Sequence, residues 1–216
     1  MKPTSLNVVS TLTEGITIGL KNAASLIVAA ILYILTIWIP YLNVGTTIAM
    51  MTIPGKLANG EIISPLFIFE GRYRQDFSAF FLLQAFTTMV TMVGFAFMVI
   101  PAIVISISLS LATYILVDFD KSPTDAMKLS NQATNGHKWT IFGINVIFAI
   151  LVVIASIIVG AIANILGDTL GTILMIVFVA CIIPFALGIS SVIYRTLYLE
   201  AIEETDDTPS EGVETL

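Results

Sequence analysis

Apolar residues run in long blocks along this chain, and polar residues gather in short islands between them. Residues 77–117 form a 41-residue stretch without a charge, 140–167 form another, and 22–55 form a third of 34 residues. A helix needs roughly 20 apolar residues, rising 1.5 Å each, to cross about 30 Å of hydrocarbon. The 77–117 run, roughly 61 Å long as helix, therefore holds two crossings. The 22–55 run, roughly 51 Å, is slightly short for two, unless Lys21 and Lys56 extend their stems to the interface. Proline favours a first helical turn and disrupts later ones, so Pro40 and Pro101 mark the turns. The pattern predicts spans at about 22–39, 41–57, 79–99, 102–117, 139–166 and 170–194. For 41–57 a re-entrant segment is the alternative. Pro184 predicts a kink in the last span, and Asp168 or Thr169 can cap it.

The fold expected is an all-α polytopic membrane protein. It has six transmembrane helices as three hairpins, an N-terminal interfacial helix and a cytoplasmic amphipathic helix. Leu6, Val9, Leu12 and Ile16 recur at helical spacing among polar residues, which suits a helix lying at the interface. The second helix sits in the island 118–139. Ser122 is its cap, Pro123 its first residue and Asp125 complements its dipole. Gly136 ends it. Ala126, Leu129, Ser130 and Ala133 share a small, mildly apolar face, while Lys128 and Gln132 point elsewhere. The connection at 54–77 is expected along the interface, with Phe67, Phe69 and Tyr73 among the headgroups.

Charge orients the bundle. All nine Lys and Arg residues fall on one side of the six-span arrangement. None lies in the turns at 40–43, 100–101 or 167–169. Basic residues in short loops mark the cytoplasmic side, so both termini are expected in the cytoplasm, with the protein in a bacterial inner membrane. The hairpins share one orientation, unlike an inverted repeat.

Composition agrees: 57% of residues are hydrophobic and 11% charged, against about a quarter charged in soluble domains. The net charge of −6 belongs to an acidic tail, 199–216, read as disordered, with the membrane domain at 1–198. Nothing resembles a basic nucleic-acid footprint. The single cysteine, Cys181, is expected to be packed and inert, and no Cys/His cluster with metal spacing occurs.

Candidate chemistry is sparse. No acidic, basic or histidine side chain falls near a span centre, where proton relays and ion-coupled carriers place one. The one histidine, His137, lies at the membrane edge and reads as interfacial. No catalytic residue, metal ligand or cofactor site is expected, and the chain reads as non-enzymatic. The polar residues within spans commonly bond a neighbouring helix or a carbonyl one turn back. Their functional reading is a lining built from Gln84, Thr88, Thr91 and Asn145. Ser156, Gly160 and Asn164, at steps of four, predict a close helix contact. Gly15 and Gly19 make the same motif in the expected surface helix. Asp125, Lys128 and Gln132 are the candidate cytoplasmic docking residues.

Ile-Pro before a span, a short acidic stretch, Ser-Pro-x-x-Ala, a further Ser, and Asn-Gly-x-Lys-Trp entering the next span form a pattern. Here it comprises Pro101, Asp118, Ser122, Pro123, Ala126, Ser130, Gly136, Lys138 and Trp139, with GLKN at 19–22. It resembles a bacterial family of uncharacterised integral membrane proteins akin to the membrane domain of glycerophosphodiester phosphodiesterases. The resemblance implies a six-span domain without established chemistry. The hydrolase found in some members is not expected here. The function expected is an accessory or scaffold subunit supporting a membrane partner or envelope process. The alternative is a channel or carrier for a neutral or lipidic solute. Expected partners are membrane lipids and a membrane protein or second copy, not nucleic acid.

Overall fold

A computed structural model describes residues 6–75 and 77–202, and every regular element among them is helical. In chain order these are α1 (Val8–Thr36), α2 (Leu42–Ala58), a 3-10 turn (Pro65–Phe69) and α3 (Arg72–Gln75). Then follow α4 (Phe77–Phe97), α5 (Val99–Ser108), α6 (Ala112–Phe119), α7 (Pro123–Thr134), α8 (Lys138–Leu166) and α9 (Asp168–Tyr194). A π-helical turn, Arg195–Leu199, carries α9 on to Ile202. Five helical stretches are long and apolar enough to cross a membrane: α1, α4, α5 with α6, α8, and α9 with its extension. α2 is shorter, 17 residues or roughly 26 Å.

Among the described residues no separate interfacial helix precedes the first span. α1 is continuous over 29 residues, capped by Asn7, whose Oδ1 accepts from the Val9 N–H at 2.9 Å. No proline interrupts it, and Gly15 and Gly19 face protein rather than headgroups. Both are buried against α9, in the most extensive helix pairing among the described residues. A Cβ on Gly15 would lie 2.6 Å from the Ile189 Cα, and one on Gly188 would strike the Gly15 carbonyl and lie 2.9 Å from the Gly19 nitrogen. Small residues on both helices thus let the backbones meet. The stripe at Ser156, Gly160 and Asn164 makes no such contact. Space around Gly160 is open, and Ser156 and Asn164 bond carbonyls of their own helix. The close contact of α8 with α9 lies instead at Ala163, whose Cα is 3.4 Å from where a Cβ on the buried Gly171 would sit.

The region expected as one span at 102–117 is broken at 109–111, between α5 and α6. α7 mends the break. The Ser130 hydroxyl donates to the Ser108 carbonyl at 2.7 Å and accepts from the Leu111 N–H at 3.1 Å. Ala126, Ser130 and Ala133 are buried with Leu111, Ile115 and Ile144, so α7 is a structural strut as well as a surface helix. Its start is as the sequence reads: Ser122 Oγ accepts from the Asp125 N–H at 3.2 Å, and Gly136 follows the end with φ 83°. Beside α7, Ile100, Ile103, Val104 and Ile107 of α5 share a groove with Lys138, Trp139 and Phe142 of α8.

Other expectations are corrected by packing. Phe67 and Tyr73 are buried against α1 and α2 rather than lying among headgroups, and only Phe69 is partly exposed. Asn22 holds this connection inward, its Oδ1 accepting from the Ile63 N–H at 3.3 Å. Cys181 is exposed on the outer surface of α9. Residues 199–202 continue the helix, and the rest of the acidic tail lies outside the described residues. Trp38 and Trp139 are exposed, as belt residues would be.

Candidate functional site

The helices α1, α2, α6 and α9 border an open cavity of about 420 Å³. Tyr33, Thr47, Thr113, Tyr114 and Ser190 are the hydroxyl-bearing residues of its lining; Met50, Met51, Pro54, Ala186 and Leu187 make up the rest. Thr47 Oγ1 and Tyr33 Oη are 3.4 Å apart, which joins α1 to α2. The Ser190 hydroxyl donates to the Ala186 carbonyl one turn back at 3.0 Å, and Tyr114 faces it. The lining is mostly apolar, and its few polar residues are uncharged.

One helical turn from this cavity lies a carboxylate. Residues four apart share a helix face. Tyr114 and Asp118 are so related on α6, and Ser190 and Tyr194 on α9. The Tyr194 hydroxyl faces the Asp118 carboxylate, yet neither Tyr194 Oη nor Asp118 Oδ2 meets hydrogen-bond geometry with a protein group, and both atoms are buried. The carboxylate rests on the α2 backbone: a Cβ on Gly55 would lie 2.5 Å from Oδ2 and 3.1 Å from Oδ1. Asp118 therefore does not simply begin a solvated island. It is half-buried, with one oxygen sealed inside.

Aromatic rings pack around Tyr194. Tyr114 and Tyr194 meet edge-on at 5.2 Å, Tyr194 stacks on Tyr198 at 5.7 Å, and Phe119 meets Tyr198 edge-on at 5.4 Å. The π turn follows directly, and π-helical turns in α-helices recur at functional sites. Arg72, Lys56 and Glu61 are the charged side chains close enough to act on Asp118 through their charge. The two cations, which act on Asp118, also pair with glutamates. Lys56 Nζ is 3.0 Å from Glu61 and 5.9 Å above the Phe67 ring; Arg72 Nε is 3.7 Å from Glu70, and its guanidinium lies 4.9 Å from the Tyr73 ring centre.

The lining expected from sequence is not gathered around this cavity. Gln84 is half-buried on α4 and donates to the Met51 Sδ at 3.4 Å, from behind the wall Met51 forms. Thr91 is half-buried farther along α4, and Thr88 and Asn145 are exposed. Asp125, Lys128 and Gln132 are exposed on the outer side of α7. His137 sits in the α7–α8 turn with its Nδ1 buried and without a protein partner. The residues missed, Tyr33, Thr47, Tyr114, Asp118 and Tyr194, come from four helices far apart in sequence. The only local sign was Tyr114, Asp118, Tyr194 and Tyr198 at steps of four. Among the described residues no three or more His, Cys, Asp or Glu side chains cluster as metal ligands. Comparison of this chain with protein-family models, with curated proteins and with solved structures gave no match.

Proposed function

We propose that this chain is a non-enzymatic integral membrane protein that holds one neutral or lipidic solute within its bundle, as a carrier or channel does. The observation behind this reading is the open, mostly apolar cavity among α1, α2, α6 and α9. Its volume, about 420 Å³, falls in the range of roughly 300–1,000 Å³ typical of small-molecule sites. A lining that mixes apolar surface with a few hydroxyl-bearing residues suits an amphiphile. The proposal includes six crossings, with α2 completing the first hairpin, and both termini on the cytoplasmic side of a bacterial inner membrane. It keeps the likeness to the phosphodiesterase-associated membrane domains as a statement about architecture.

Mass spectrometry of the protein released from lipid nanodiscs tests the reading. A retained small amphiphile is expected on the wild type and not on Ala186→Trp, which fills the cavity. Bare protein in both cases, with no solute flux in liposomes, would end the proposal.

An accessory or scaffold role is the second reading, and α7 favours it. Asp125, Lys128 and Gln132 stand exposed near one another on a helix whose other face is anchored by Ser130. A protein partner or second copy docking there would be lost on charge reversal at Lys128 and Asp125, read by co-purification in mild detergent.

A further inference from the structure

We propose that the groove between α5 and α8 holds one acyl chain of an anionic phospholipid, with the lipid phosphate on Lys138. This site is separate from the cavity among α1, α2, α6 and α9 and stands or falls without it. Ile100, Ile103, Val104 and Ile107 follow one another at steps of three and one, so they share one face of α5. Lys138, Trp139 and Phe142 do the same at the start of α8, and the two faces line a space of about 290 Å³. Trp139 packs edge-on against Phe142 at 6.0 Å, while Ile100 and Trp139 stay exposed to the surroundings. The apolar wall on α5 is roughly 10 Å long. A partner helix with its side chains is about 10 Å across, too wide for this space. An extended hydrocarbon chain is slim enough to enter it.

Charge selects the head. The Lys138 ammonium has three protons to donate. One goes to the Asn131 Oδ1 at 3.0 Å, an uncharged acceptor. Among the described residues Lys138 forms no ion pair, and the first turn of α8 holds no acid. The start of a helix adds partial positive charge of its own. The groove therefore has a cation with donors to spare beside its apolar walls, and a phosphate matches that cation. A zwitterionic head brings its own cation to the phosphate; an anionic head leaves that place to Lys138. The exposed Trp139 is of the type that sits where heads meet chains.

Native mass spectrometry of the delipidated full chain, titrated with dioleoyl phosphatidylglycerol or dioleoyl phosphatidylcholine, tests this. The wild type is expected to take up its first phosphatidylglycerol about fivefold more tightly, the scale of one lysine at a membrane surface. Lys138→Gln should bring phosphatidylglycerol down to phosphatidylcholine and leave the latter unchanged, which also shows that the variant is folded. Lys128→Gln removes an equal charge from the exposed side of α7 and should keep the preference. Val104→Trp, which fills the groove, should weaken both lipids. Equal binding of the two lipids by the wild type, an undiminished preference in Lys138→Gln, or an equal loss of preference in both Gln variants would overturn the proposal. So would unchanged binding by Val104→Trp, or glycerol phosphate binding as tightly as the whole lipid. A dimer that Val104→Trp dissociates, with no lipid bound, would give the groove to a second copy and overturn it as well.

Discussion

At the scale of the residue, the decisive pair is Gly55 and Asp118. A methyl group at 55 would sit 2.5 Å from a buried carboxylate oxygen, so the acid or the helix must move. Forcing extra atoms into a packed place costs about 1–3 kcal/mol. Gly55→Ala should therefore lower the thermal midpoint in detergent, and Gly143→Ala, with nothing within 4 Å, should not. Equal midpoints for the two variants would show that Asp118 does not depend on α2. The residue itself was visible in the sequence, but only as the first charge after a long apolar run. That its neighbours are residues 55 and 194 depends on how three helices meet, and chain position does not encode it.

At the scale of the element, Ser130 and the paired glycines carry the structure. Removing the Ser130 hydroxyl leaves the Ser108 carbonyl and the Leu111 N–H unpaired at the α5–α6 break. Leaving buried polar groups unpaired costs about 1–3 kcal/mol, and apolar surroundings offer no replacement. Ser130→Ala should reduce unfolding free energy by that order in a denaturant titration; a loss under about 0.3 kcal/mol would mean that water reaches the break. Gly15→Leu should push α1 from α9 and reduce folded yield, whereas Gly160→Leu, facing open space, should be tolerated. Fluorescence-detected size exclusion reads both, and equal profiles would contradict the backbone contact. Sequence placed Ser130 on the packed face of α7, because its spacing with Ala126 and Ala133 is helical. It did not show that α7 serves a break in another helix, since serine-rich residues 106–110 read equally well as an unbroken span.

For the whole molecule, topology is the testable quantity. With Cys181 replaced by Ser, single cysteines at Asp168 and Asp125 should label from opposite sides of the membrane with an impermeant maleimide, Asp168 from outside. Labelling of both from one side contradicts the alternation. Ile100 adds a finer test, because it shares a groove with Lys138 and Trp139 although six straight crossings place it at the far face. If a cysteine there labels only from the cytoplasm, α4 and α5 form a hairpin that enters and leaves on one side. The count then falls by two and both termini stay where they are. At the opposite end of α9, Arg195 bridges Glu14 at 2.7 Å and Glu200 at 3.3 Å. These side chains are partly exposed, so Glu14→Gln should change stability by less than about 1 kcal/mol.

What could be read along the chain were quantities that depend on local composition. The apolar run lengths required helices of membrane-crossing length, because backbone groups in hydrocarbon must bond within their own segment. The caps of α7 followed from Ser122, Pro123 and Gly136, because capping is settled within a few residues. What needed the folded arrangement were the contacts between distant segments: Gly15 on Ile189, Ser130 in the α5–α6 break, Phe67 and Tyr73 turned inward, and Asp118 enclosed by Gly55 and Tyr194. In an oily chain nearly every helix face is apolar, so hydrophobic patterning cannot tell which face meets protein and which meets lipid. Steric fit and the pairing of a few buried polar groups make that choice, and both exist only once the helices have come together.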